Sequence, residues 1–149
     1  GGIKAPQPCK MELALAEGEN LLLVTSEKDF ERLIALVCEK KPFIPGLVRR
    51  HMARAAMARR NCIAGIFTQY QREIYGGLES VLDKLSQPVW VVWGTQDRVL
   101  DVSSCEVMRP LLPSAEFDIM DDTGHLPMLE RPKLCAQRYR GFLRRRAQG

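Results

Sequence analysis

An α/β architecture is predicted by two short apolar runs near the C-terminal end and by a helical rhythm before and between them. From Pro88 onward the order is β-α-β-α. The run "VWVVW", Val89–Trp93, is unbroken and apolar, as in a strand covered on both faces of a parallel sheet. The run "AEFDIM", Ala115–Met120, alternates Phe117 and Ile119 with Glu116 and Asp118, which suits an edge strand with Asp118 facing solvent. Consecutive parallel strands joined by a helix lie side by side, so their C-terminal ends share one edge. Two regions follow: helices over 1–86, and a β-α-β-α unit over 87–149.

The elements can be justified in order. "KMELALAEG" is a short helix that Gly18 can close. "TSEKDFERLIALVCEKK" starts at a good cap, Ser26, and sets Phe30, Leu33, Ile34 and Val37 at helical spacing. Lys40 and Lys41 would then sit at the negative end of its dipole. "PFIPG" breaks the run. Alanines and methionines favour helix from Leu47 to Arg60, and Ile63, Ile66, Phe67 and Tyr70 continue a three-to-four spacing. "YGGLESVLDKLSQP" reads as a turn and a short helix. Between the strands, Ser103 and Glu106 have the S-x-x-E spacing of a capping box. Pro132 opens the last helix, with Leu134, Tyr139, Phe142 and Leu143 expected to face inward.

Composition narrows the class. The chain has 149 residues, 46% hydrophobic and 27% charged, an ordinary globular mix. A formal charge of +4, without a polybasic tract inside the domain, argues against a nucleic-acid partner. Arg144, Arg145 and Arg146 suit the C-terminal end of a helix. The five cysteines (Cys9, Cys38, Cys62, Cys105, Cys135) are dispersed, which points to reduced thiols, a reducing compartment and no zinc site. No stretch reaches the roughly 18 apolar residues of a membrane helix. "GGIKAPQP" lacks the apolar run of a signal peptide, and a chain beginning at Gly1 is expected to be a piece of a longer protein.

Two loops at the shared edge carry chemistry. "GTQDRVLD", Gly94–Asp101, follows the first strand, and "DDTGHLP", Asp121–Pro127, follows the second. Sites in open α/β sheets are built at that edge. A base working near neutral pH is best supplied by histidine. Of the two histidines, His51 lies in the helical "RRHMARAA" and His125 in a tight loop. The acid that orients His125 is Asp97 or Asp101. Asp101 has a structural duty just ahead of a helix start, so Asp97 is preferred. Asp121 and Asp122 read as turn formers.

"VWVVWGTQDRVLDVSS" followed by "DDTGHLPMLERP" resembles the C-terminal part of the α/β-hydrolase superfamily. Within it, "WGxxDxVLDVS" and "GHxPMxERP" are similar to the monoacylglycerol lipase and esterase branch. The resemblance implies a helical cap over 1–86, then the last two core strands with flanking helices. It implies Asp97 as the acid and His125 as the base of a Ser, Asp, His triad, acting on carboxylic esters such as acylglycerols without cofactor or metal. No serine here (Ser26, Ser80, Ser86, Ser103, Ser104, Ser114) has glycines two residues before and after it, so the G-x-S-x-G elbow is absent. The expected partners are a lipid ester and an N-terminal hydrolase half. The chain alone is expected to be inactive.

For the cap, Met52, Met57, Ile63, Ile66, Phe67 and Tyr70 either line an acyl pocket or form the ordinary stripe between cap helices. Arg49, Arg50, Arg54, Arg59 and Arg60 form a solvated basic face, the sharper alternative being peripheral contact with an anionic membrane. Other activities on the same fold stay open: epoxide hydrolase, dehalogenase, or C–C bond hydrolase. A non-catalytic interaction protein with a partial hydrolase fold is the reading from another class. With the neighbouring strand lacking, the apolar first strand is also expected to make the chain marginally stable or self-associating.

Overall fold

The structure, a computed structural model, describes residues 2–73 and 77–147, the side chains of 70–73 excepted. Five helices come first: α1 Lys10–Ala16, α2 Glu27–Val37, α3 Gly46–Ala58, α4 Arg60–Glu73 and α5 Glu79–Leu82. Then follow β1 Trp90–Gly94, α6 Ser104–Leu111, β2 Glu116–Met120, α7 Pro127–Glu130 and α8 Pro132–Ala147. Among the described residues no helix is long and apolar enough to cross a membrane.

β1 and β2 pair in parallel with Trp90 opposite Glu116 and Gly94 opposite Met120. The alternation of the strands decides what covers each face. Val91, Trp93, Phe117 and Ile119 pack with Cys105 and Leu112 on the α6 side. On the other face Trp90 stacks on Tyr139 and Phe142 of α8, with ring centroids 5.6 Å and 6.2 Å apart. Such aromatic pairs contribute about 0.5–1.5 kcal/mol beyond the area they bury.

The polar residues of that face also dock α8. Asp118 pairs with Arg138, and Glu116 with Arg145 and Arg146. Asp118 therefore does not point to solvent: the predicted polar face of β2 meets the arginine-rich side of α8. The guanidinium of Arg145 holds the Glu116 carboxyl below its usual range. On α8 itself Phe142 is buried, whereas Tyr139 and Leu143 are about half exposed and do not both face a core.

The helical region has two apolar centres joined by α2. Phe30 packs with Val24 and Ala53, bringing α2 against α3. Leu36, absent from the predicted stripe, turns the other way and packs with Cys9, Met11 and Val99. Ser26 caps α2, accepting from the Asp29 N–H at 3.1 Å. The Thr25 hydroxyl and N–H donate to the Asp29 carboxylate, which holds its pKa at about 2.

Two further sequence expectations need correction. α2 stops at Val37 with Cys38 extended, so Lys40 and Lys41 lie beyond the helix. The Ser103–Glu106 capping box does not form. Ser103 is itself in helical conformation, and its hydroxyl accepts from the Gln7 N–H at 3.1 Å instead. Asp101 organises the turn, its Oδ1 accepting from the Ser103 N–H at 2.9 Å.

At the C-terminal edge the two post-strand loops meet without a gap. The Thr95 N–H donates to the Met120 carbonyl and the Gln96 N–H to the Thr123 carbonyl, both at 2.9 Å. Only a glycine fits between them: a Cβ on Gly94 would lie 2.1 Å from the Thr123 oxygen and 2.3 Å from the Gly124 oxygen. Gly94→Ala must drive these backbones apart, and overpacking of this kind costs about 1–3 kcal/mol or more. A matching drop in stability is expected in urea unfolding followed by circular dichroism. Unchanged stability would contradict the close contact.

Candidate active site

Asp97 is placed by the turn that ends β1, its N–H donating to the Gly94 carbonyl at 3.3 Å. Its side chain is 5% exposed, and every contact it makes uses a specific oxygen. Oδ1 accepts from the Val99 N–H at 2.8 Å and the Leu100 N–H at 3.0 Å. Oδ2 is thereby aimed at His125 and lies 2.9 Å from Nδ1. A carboxylate bound by two backbone donors cannot swing, so the imidazole it meets has a defined orientation.

His125 comes from the loop after β2, twenty-eight positions further along. Its imidazole is 29% exposed, so with Nδ1 on Asp97 the ring remains open to a reactant. The loop is shaped by Asp122, at φ 48°, whose carbonyl accepts from Arg131 at 3.2 Å. Thr123 is fully buried and its hydroxyl donates to the Asp121 carbonyl. These contacts fit the turn role read for Asp121 and Asp122. With Nδ1 protonated toward Asp97, the other ring nitrogen can accept a proton from an alcohol or water.

The structure thus brings together Asp97 and His125, while Asp101 is occupied with its own turn and His51 is exposed on α3. The predicted acyl-pocket residues are less united. Met57 packs on the Phe30 cluster, and Phe67 on the cluster that contains Val99. Met52, Ile63 and Ile66 are exposed, and the side chain of Tyr70 lies outside the described residues.

Sequence reasoning missed the supports of both loops. The His125 N–H donates to the Val37 carbonyl at 2.9 Å, which is where α2 ends. Glu130 accepts from the Gly124 N–H at 2.8 Å with Oε1, and from the N–H groups of Glu39 and Lys40 at 2.9 Å and 2.8 Å with Oε2. On the acid side, Arg98 donates to the Ala35 carbonyl at 3.2 Å and pairs with Glu39. Cys9 donates its S–H to the Val99 carbonyl at 2.9 Å. Burial, and to a lesser degree the Glu130 charge, push the Cys38 thiol up, so it stays a neutral packing group. All five cysteines are free, and no cluster of metal-ligating side chains occurs among the described residues. The signal for Glu130 was its place in "MLERP", just ahead of the proline that opens α8.

Lipase 3 of Moraxella sp. (strain TA144) is 30% identical over 135 residues, covering 91% of this chain and 42% of the relative. A solved structure of a membrane phospholipase A, described as a bacterial virulence factor, superposes with a TM-score of 0.91 at 40% identity. It matches 96% of this chain and 46% of its own. The chain belongs to the α/β-hydrolase superfamily. It has the C-terminal portion of that fold, with helices followed by two parallel strands. Human monoacylglycerol lipase ABHD6 is also similar, 32% identical over 66 residues, which is 44% of this chain and 20% of the relative. No protein-family model matches. The chain spans less than half the length of each of these three relatives.

The two oxygens of Asp97 make separable predictions for this α/β-hydrolase chain. Asp97→Ala leaves the part-buried N–H groups of Val99 and Leu100 without this acceptor, a loss of about 1–3 kcal/mol in all. Asp97→Asn keeps an acceptor for them and is expected to unfold at nearly the unaltered urea midpoint. Equal destabilisation by the two variants would contradict the assigned contacts.

Proposed function

We propose that this chain supplies the acid–base half of a serine hydrolase that cleaves carboxylic esters of lipids, such as acylglycerols. The observation that carries the proposal is the 2.9 Å contact between His125 Nδ1 and a carboxylate fixed by two backbone donors. In this reading His125 takes the proton of a serine hydroxyl as that oxygen attacks the ester carbonyl. It returns the proton to the departing alcohol, then activates water to release the acid. Asp97 holds the productive tautomer and stabilises the imidazolium.

The ester class is supported by relatives named lipase, monoacylglycerol lipase and membrane phospholipase A. The nucleophile is assigned to a separate segment, because no serine of this chain stands in G-x-S-x-G. Without the serine and the oxyanion donors that accompany it, an acid–base pair has no acyl intermediate to form. The cap is assigned to 1–86, with Met52, Met57, Ile63, Ile66, Phe67 and Tyr70 as candidates for its apolar side toward the acyl chain. Its arginines are candidates for contact with anionic lipid.

The chain alone is expected to give no turnover of a chromogenic short-chain ester above the uncatalysed rate. Joined to a serine-bearing N-terminal segment, it is expected to hydrolyse the ester. There His125→Ala and Asp97→Asn lower kcat by about 10³–10⁴-fold, the second by presenting an N–H to Nδ1 and imposing the wrong tautomer. Turnover by the isolated chain that disappears in His125→Ala would refute the division of labour. Full activity of the joined protein with either substitution would refute the roles.

A further inference from the structure

We infer that Glu130 is a positioning residue that locks the histidine loop to the helical region and so keeps His125 in register with Asp97. The inference deepens the proposed hydrolase reading and rests on it for its kinetic arm. Three backbone N–H groups converge on this one carboxylate. One belongs to Gly124, next to His125, and two to Glu39 and Lys40, immediately beyond α2. Each oxygen serves one side of the junction, so the carboxylate is a bridge and not a cap for either segment.

The junction has no slack. A Cβ on Gly124 would lie 2.7 Å from the Glu39 nitrogen, 2.9 Å from Glu130 Oε1 and 3.0 Å from the Val37 oxygen. Beside the bridge, the Val37 carbonyl accepts the His125 N–H at 2.9 Å. Gly124 and His125 are thus fastened to consecutive parts of one segment, 37–40. That segment is also fastened to the acid loop, because Arg98 follows Asp97 and binds Ala35 and Glu39. The distance between the two loop tips is consequently set in part through 35–40. Releasing Glu130 frees one of the two ties between the histidine loop and 37–40 while leaving the Asp97 turn intact.

Glutamine is the informative replacement. It keeps the length of Glu130 and one accepting oxygen, but presents an amide N–H to donors on the other side. Displacing a reacting group by an ångström or so can cost about 10²-fold in rate. In the joined hydrolase, Glu130→Gln is expected to lower kcat about 10–100-fold with KM within about threefold, and Glu130→Ala to lower it further.

A second readout needs no substrate. In the chain with ¹⁵N-labelled histidine, the proton shared by His125 and Asp97 is expected as a far-downfield N–H line. Asp97→Asn should remove that line. Glu130→Gln should broaden or shift it, whereas Asp118→Asn, which perturbs only the β2–α8 pair, should leave it in place. An unmoved line in Glu130→Gln, or a kcat within twofold of the unaltered protein, would overturn the inference. So would parallel losses in kcat, KM and folded fraction, since they indicate general destabilisation. If the joined protein never hydrolyses an ester, the hydrolase reading fails, and the spectroscopic comparison still decides whether Glu130 positions the imidazole.

Discussion

The site depends on one close approach of backbone to backbone. Gly94, the last residue of β1, lies against the Thr123 and Gly124 carbonyls so tightly that no side chain fits between them. Parallel pairing brings the two strand ends to one edge, but pairing alone would leave the loops free to diverge. The hydrogen bonds from Thr95 to Met120 and from Gln96 to Thr123 extend the ladder past the strands. They convert a shared edge into a fixed separation of two particular side chains. Without that contact a 2.9 Å Asp–His bond between separate loops would have to carry its own ordering entropy.

The second constraint comes from the end of α2. The last carbonyls of any helix lack intrahelical partners and must find donors elsewhere. Here the carbonyls of Ala35 and Val37 meet Arg98 and the His125 N–H, one from each loop at the sheet edge. The helix stops at Val37 in the same place that the histidine loop takes hold of it. α2 is also the element that reaches both apolar centres, Phe30 in one and Leu36 in the other. The helical region is therefore part of the frame that holds Asp97 and His125 together.

Much of this was legible in the sequence because periodicity reports burial. The unbroken "VWVVW" and the alternating "AEFDIM" gave two strands, their parallel order gave the shared edge, and the loop positions of Asp97 and His125 gave the pair. What escaped notice depends on contacts between distant segments. Spacing predicts a local cap from the Ser103 hydroxyl, which Gln7 takes instead, and solvent for Asp118, which Arg138 takes. α2 carried a polar tail in the sequence, "CEKK", compatible with helix until the backbone of that tail was needed by Glu130. Local spacing cannot register such competition, because each rival partner lies many residues away. Leu36 escaped for a related reason: a helix that packs on two sides does not present a single stripe.

A carboxylate and an imidazole on neighbouring loops are here held fully organised by one segment of chain. The orientation of His125 is fixed by Asp97, the position of Asp97 by the amides of Val99 and Leu100, and the loops by each other and by 35–40. None of these contacts requires a serine. The Asp97–His125 pair is therefore organised without any contact to a serine, which separates the two tasks of the proposed site. One is setting the imidazole's direction, carried out by the residues seen here. The other is presenting an oxygen and stabilising the charge that develops on the carbonyl, which needs backbone donors from another strand-to-helix turn. Because the ordering of the pair falls within this chain, the nucleophilic segment of the proposed hydrolase is left with two contributions, an oxygen placed at the open nitrogen of His125 and the donors for the carbonyl.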